Sequence, residues 1–265
     1  MGYATWNPSD KHSDITLSNG NLTVGHTGST YRSVRSTVSV SSGKWYWEIT
    51  VDSSRDQVFG VGNSSASLSE APGWSDTSGW GLQGYYSPTR LYHNGSYDGY
   101  GSQWSDNDVI GVALDLDNGK LWFSKNGVYP NGGDPANGTN PGATGVSGHI
   151  YAMVSPYNSS CSSTTNFGST PFSYTVPNGF MAGLTDYLGY FSGYVKEGDV
   201  AVSRIVRLYN RNSGLLVDST TSSGNGYYYV ETTYSGAHYL IALDDDSGDS
   251  YNMARLDKMI PVSII

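Results

Sequence analysis

The chain has 265 residues, with 34 glycines, 10 prolines, 13 % aromatic and only 14 % charged side chains, the composition of a turn-rich folded protein and not of a disordered one. The formal charge is −9: residues 1–186 hold 8 basic and 14 acidic side chains, and residues 187–265 hold 6 and 9. Neither half offers the positive surface that phosphate neutralisation needs, so nucleic acid is excluded as a partner, and the single cysteine, Cys161, excludes an intrachain disulfide or a multi-cysteine zinc site.

Residues 1–14 are polar and lack the hydrophobic core of a signal peptide. No apolar run approaches the roughly 20 residues that a membrane-spanning helix needs, so membrane insertion is not expected and the chain reads as made in a cytoplasm.

Period-two alternation dominates. In Lys44–Val51 (KWYWEITV), Trp45, Trp47, Ile49 and Val51 share one face, and Lys44, Tyr46, Glu48 and Thr50 share the other. That pattern predicts a strand with one buried and one wet side. Next comes an aromatic run, Trp80–Trp104, in which Tyr85, Tyr86, Tyr92, His93, Tyr97 and Tyr100 alternate with Gly, Ser and Asn. Core packing is the preferred reading for Tyr85, Tyr86 and Tyr92. Trp74, Tyr97, Tyr100 and Trp104 lie among turn residues, and with His93 they form the expected ligand-binding set, because rigid rings give contact area at low entropic cost.

Ile110, Val112, Leu114 and Leu116 then alternate up to the turn Asp117-Asn118-Gly119-Lys120, Leu121-Trp122-Phe123 resume, and Asn126-Gly127 turns again. Asn-Gly suits a tight hairpin because both residues tolerate positive φ. Asp115 and Asp117 flank the first turn and read as its caps. Residues 131–148 carry no hydrophobic pattern and read as a long surface loop. A domain boundary falls between Ala182 and Gly189, giving expected domains 1–186 and 187–265. Beyond it, Tyr190–Val195, Ser203–Tyr209, Leu215–Thr220, Gly226–Thr232 and His238–Leu243 read as strands of a small second sandwich. Tyr227-Tyr228-Tyr229 puts aromatics on both faces of one strand, so one face is expected in a core and the other against a neighbour. Asp244–Asp249 departs from EF-hand spacing and reads as an acidic hairpin tip, with calcium binding left open. The apolar ending, residues 259–265, reads as a last strand or a docking tail.

No GxSxG, HExxH or GxxxxGK[ST] motif occurs, and His12, His26, His93, His149 and His238 form no i,i+4 pair. No catalytic residue, metal ligand or cofactor is therefore assigned, and the chain is expected not to be an enzyme.

Four segments resemble the SPRY family, over roughly residues 5–184. They are Gly43–Val51 with Gly60-Val61-Gly62, Asp108–Val128 (DVIGVALDLDNGKLWFSKNGV), Asn166–Phe172 (NFGSTPF) and Pro177–Phe180 (PNGF). The opening Trp6–Val24 looks like SPRY domains of phage and prophage proteins. Residues 193–230 are similar to transthyretin-like or carboxypeptidase-regulatory modules. The resemblance implies an all-β chain, a SPRY-type antiparallel β-sandwich followed by a small immunoglobulin- or transthyretin-like one, and a binding role without catalysis. It leads to the expectation of a bacteriophage virion protein, in a tail fibre, tail tip or other appendage. Its SPRY loops would bind host surface polysaccharide or protein, and its other partners would be virion proteins, in a homo-oligomer. Two alternatives stand beside this: a structural virion component such as a capsid decoration or tail connector, and an intracellular peptide-binding SPRY adaptor.

Overall fold

In the computed structural model, which describes residues 3–185, 189–211, 214, 216–232, 237–243, 254–259 and 262–263, the alternating segments form two units, Met1–Asp186 and Tyr187–Ile265. The first unit contains two sheets. One runs in the order β1 (Trp6–Lys11), β4 (Val34–Val40), β13 (Ile150–Pro156), β6 (Gln57–Gly62), β7 (Gly79–Gln83), β8 (Arg90–His93), β9 (Ser96–Gly99). The other runs β12 (Ala143–Thr144), β11 (Lys120–Lys125), β10 (Val109–Asp115), β5 (Lys44–Ser53), β14 (Ser162–Asn166), β3 (Thr23–His26), β2 (Ile15–Ser18). Pairing is antiparallel throughout, except that β15 (Met181–Ala182) runs parallel to the start of β5. This is an all-β antiparallel sandwich. The one helical element among the described residues is a 3₁₀ turn at Pro130–Gly132.

The core follows the alternation. Trp45, Trp47, Ile49 and Val51 of β5, Ile110, Val112 and Leu114 of β10, and Leu121 and Phe123 of β11 are all buried, as are Trp6, Phe59, Trp104 and Phe167. Trp6 meets Phe167 edge-on at 5.1 Å, and Phe59 stacks on Trp104 at 4.5 Å. The close fit continues behind Trp104, where a Cβ on Gly84 would lie 2.0 Å from the indole. Both hairpin turns behave as their chemistry implies. Asn126 and Gly127 take φ of 50° and 76°, and Asp115 accepts from the Asn118 backbone N–H at 3.0 Å while pairing with Lys44 at 3.1 Å. Asp117 accepts from the Gly43 N–H at 2.8 Å.

Two expectations need correction. The supposed wet face of β5 is dry at its centre, while Lys44 and Thr50 stay half-buried. Tyr46 and Glu48 are 1 % and 3 % exposed, because residues 172–180 fold back over that side of the sheet. Tyr46, Ala113 and Trp122 form a second small core there with Tyr129, Phe172, Val176 and Phe180. Glu48 organises it, accepting from the Tyr46 hydroxyl at 2.9 Å and from the Ser173 and Tyr174 N–H groups at 2.8 and 2.9 Å. The 131–148 loop is likewise not wholly on the surface. Val146 is fully buried, and the Trp122 indole and Lys120 ammonium donate to the Thr139 and Gly138 carbonyls at 2.9 and 2.7 Å.

In the second unit, β16 (Gly189–Tyr194), β21 (Tyr227–Thr232) and β24 (Val262–Ser263) form one sheet. The strands β20 (Leu216–Thr221), β19 (Ile205–Asn210), β22 (His238–Ala242) and β23 (Ala254–Met259) form another, beside a short ribbon of β17 (Lys196–Glu197) and β18 (Val200–Ala201). Phe191, Val206, Leu208, Tyr228, Val230, Leu240 and Ala242 make its core. Of the tyrosine triplet, Tyr228 packs inward, and Tyr227 and Tyr229 stay exposed beside Tyr194 and Tyr190. The acidic run at 244–249 lies outside the described residues, as do residues 260–261 and 264–265 of the apolar ending.

Replacing Glu48 by Ala strands a buried phenol and two part-buried backbone donors, so it should cost about 2 kcal/mol in a denaturant unfolding measurement. A loss under about 0.5 kcal/mol would mean that the tail is not held by this carboxylate.

Candidate functional site

Several connections of the first unit converge on one open cleft of about 570 Å³. Tyr31 comes from the β3–β4 connection, Asp56 from β5–β6, Glu70 and Trp74 from β6–β7, Gln83 from the end of β7, and Tyr157 from the end of β13. Tyr85 and Tyr86, at the start of the β7–β8 connection, complete its wall. Each connection leaves a strand whose inward residues are in the core, so the rigid sandwich sets the positions of the cleft residues.

Tyr31 is the pivot. Its ring lies 5.1 Å from Trp74 and 5.0 Å from Tyr157. Its hydroxyl donates to Asp56 and accepts from the Gln83 side-chain amide. Burial first, and then the hydrogen bond to Asp56, push the Tyr31 phenol far above its usual range, so it keeps its proton at neutral pH. Arg32 is held by the carbonyls of Tyr31, at 3.1 Å, and Ser69, with Asp14 at 3.6 Å.

An aromatic ladder continues away from the cleft. Trp74 stacks on Tyr92 at 4.8 Å, and Tyr92 meets Tyr97 at 5.2 Å. The Arg90 guanidinium lies 4.3 Å from the Tyr97 ring and 3.5 Å from that of Tyr86. Both Asp56 and Tyr85 also line an adjoining hollow with Arg55 and Asp106.

The five expected site residues do not gather in one place. Trp74, 37 % exposed, lines the cleft, and Tyr97, 50 % exposed, stands further along the ladder. His93 is half-buried, its ring stacked on Trp80 at 4.4 Å and its Nδ1 2.8 Å from the Gly79 carbonyl. Tyr100 and Trp104, also of that set, are buried. They are 4 % and 1 % exposed, since Trp104 fills the core beside Phe59 and the Tyr100 hydroxyl is bound to the Phe123 backbone at 3.2 Å. Both line a separate, mainly apolar cavity of about 380 Å³. Core packing holds for Tyr92, while Tyr85 is exposed and Tyr86 half-exposed. Tyr31, Asp56, Gln83 and Tyr157 were missed, because they are far apart in sequence and none lies in a recognisable motif. The isolated aromatics Tyr31 and Tyr157, each in a polar connection, were the available signal.

Residues 44–170, all within the first unit, match the SPRY domain family model. The chain is 30 % identical over 182 residues to Ran-binding protein 9 of Xenopus tropicalis, covering 65 % of this chain and 31 % of that protein. It is 34 % identical over 134 residues to Ran-binding protein 10 of Danio rerio, covering 46 % and 22 %. Among solved structures, the TRIM65 PSpry domain aligns with 62 % of this chain and 92 % of its own at 21 % identity and a TM-score of 0.49. The chain spans less than a third of the length of the Ran-binding proteins it matches.

These relatives overturn the bacteriophage expectation. They are cellular proteins of vertebrates, so the virion location, the tail-fibre and capsid-decoration roles, the virion partners and the attachment to host polysaccharide all fall. The segment that suggested a phage lineage has a structural explanation. It forms β1, β2 and β3, and its Trp6, Ile15 and Val24 are buried, so its pattern reports the needs of the sandwich core.

Removing a core indole should cost about 4 kcal/mol, and removing a half-exposed one about 1 kcal/mol or less. Thermal and denaturant unfolding of Trp104→Ala and Trp74→Ala should separate accordingly, and equal losses would contradict this placement.

Proposed function

We propose that this chain is a non-enzymatic protein-interaction module of the intracellular adaptor kind, and that its SPRY domain holds a peptide segment of a cellular partner protein in the Tyr31–Trp74–Tyr157 cleft. The observation that carries this reading is the cleft itself. Three rings packed on one another and two further tyrosines surround a polar floor of Asp56 and Gln83, the mix of apolar walls and few convergent polar groups that recognition sites use. The vertebrate relatives carry a protein partner in their names, which supports a protein ligand here without identifying it. SPRY domains serve as interaction modules. The second unit is read as a separate small sandwich similar to transthyretin-like modules, supported by its two sheets around the core of Phe191, Val206 and Leu240.

Peptides selected from a random library on the immobilised full chain should bind saturably, and should weaken about tenfold or more on Trp74→Ala and on Tyr157→Ala, as anchors in a binding centre do. Selected peptides that bind both variants as tightly as the parent would place recognition elsewhere on the molecule.

A further inference from the structure

Among the residues that line the cleft, Gln83 carries an unused acceptor. The Tyr31 hydroxyl has one proton, and Asp56 receives it. Its oxygen can therefore only accept from Gln83, so the Gln83 amide nitrogen must face Tyr31. That leaves Gln83 Oε1 as the free end. Gln83 is 3 % exposed, it lines the cleft, and this oxygen is buried with no hydrogen-bond partner among the described residues. A buried acceptor left unpaired destabilises the fold, and a donor on a bound ligand relieves that.

The surroundings specify the donor. Two carboxylates, Asp56 and Glu70, line the same cleft. Asp56 accepts from Tyr31, and Glu70 from the Ser75 hydroxyl, and each carboxylate retains further lone pairs. The cation lining the cleft, Arg32, is already engaged by two backbone carbonyls and by Asp14. What the cleft offers a ligand is thus acceptors, negative charge and flat aromatic faces. A guanidinium meets all three, because it is planar, always charged and carries five N–H donors. Lysine supplies charge without a plane. An asparagine amide supplies two donors without charge. The chain itself shows the pairing at the neighbouring wall, where the Arg90 guanidinium lies 3.5 Å from the Tyr86 ring centroid.

We infer that the cleft selects an arginine side chain of the bound segment, its guanidinium packed on the aromatic wall and donating to Gln83 Oε1 and to the Asp56 and Glu70 carboxylates. This rests on the peptide-binding reading above and adds the identity of the anchoring residue.

The test uses the full chain and five heptapeptide libraries, randomised except for a central Arg, Lys, citrulline, Asn or Glu. Citrulline keeps the plane and loses the charge. The Arg library should be retained about tenfold better than the others, the scale of a charge-assisted hydrogen bond. Gln83→Met and Glu70→Gln, each checked for an unchanged melting temperature, should each reduce that preference severalfold. If Gln83→Met fails to fold, Glu70→Gln alone decides the matter. Retention that depends on Trp74 but is equal across the libraries would overturn the arginine assignment and leave the peptide cleft standing. An arginine preference unmoved by Glu70→Gln and by a folded Gln83→Met would also overturn it. Retention indifferent to Trp74→Ala would overturn the cleft and the arginine together.

Discussion

The first unit depends on one buried carboxylate. Glu48 projects from the middle of β5, the strand that pairs with β10, β14 and β15, on the side facing away from the main core. A carboxylate there is tolerable only if every lone pair that matters finds a donor. It finds the Tyr46 hydroxyl and two consecutive N–H groups of the returning tail. With the tail held, Phe172, Val176 and Phe180 cover Tyr46 and Trp122, and β15 reaches β5 as a parallel partner. The strand thereby becomes buried on both faces at its centre, a rigid spine from which the β5–β6 connection carries Asp56 to the cleft.

The cleft uses the same device on a smaller scale. Tyr31 is held by a donor and an acceptor that belong to different connections, Gln83 at the end of β7 and Asp56 after β5. Its ring then serves as the surface against which Trp74 and Tyr157 are set. A binding wall of aromatic side chains needs such support, because loop residues otherwise lose conformational freedom on binding and weaken the complex. The Trp74–Tyr92–Tyr97 stack extends that support onto β8 and β9. The indoles are thus divided in space: those such as Trp104 fill the core, and half-exposed ones such as Trp74 line the cleft.

The match to the SPRY family model follows the strands. The matched stretch, residues 44–170, covers β5 to β14 with their buried alternation. Tyr31 and Arg32 fall outside it. The cleft lining from Asp56 onward lies within the matched stretch, most of it on connections, which can change without disturbing the core.

Much of the fold was legible in the amino-acid order, for a physical reason. Alternation in Trp45–Val51 and Ile110–Leu114 and turn chemistry at Asn126-Gly127 act over a few neighbouring residues, so the strands and hairpins are written locally. The absence of a basic surface and of a second cysteine are likewise properties of the chain alone. Tertiary structure decided the rest. The wet face expected of β5 turned dry at its centre because a segment more than 120 residues away covers it, and period-two reading cannot see a covering layer. Tyr97 and Tyr100, only three residues apart in sequence, separated into an exposed ring and a buried one. The cleft joins Tyr31, Asp56 and Tyr157 from three connections with Gln83 at the end of β7, a proximity created by the packing of two sheets and encoded in no local pattern.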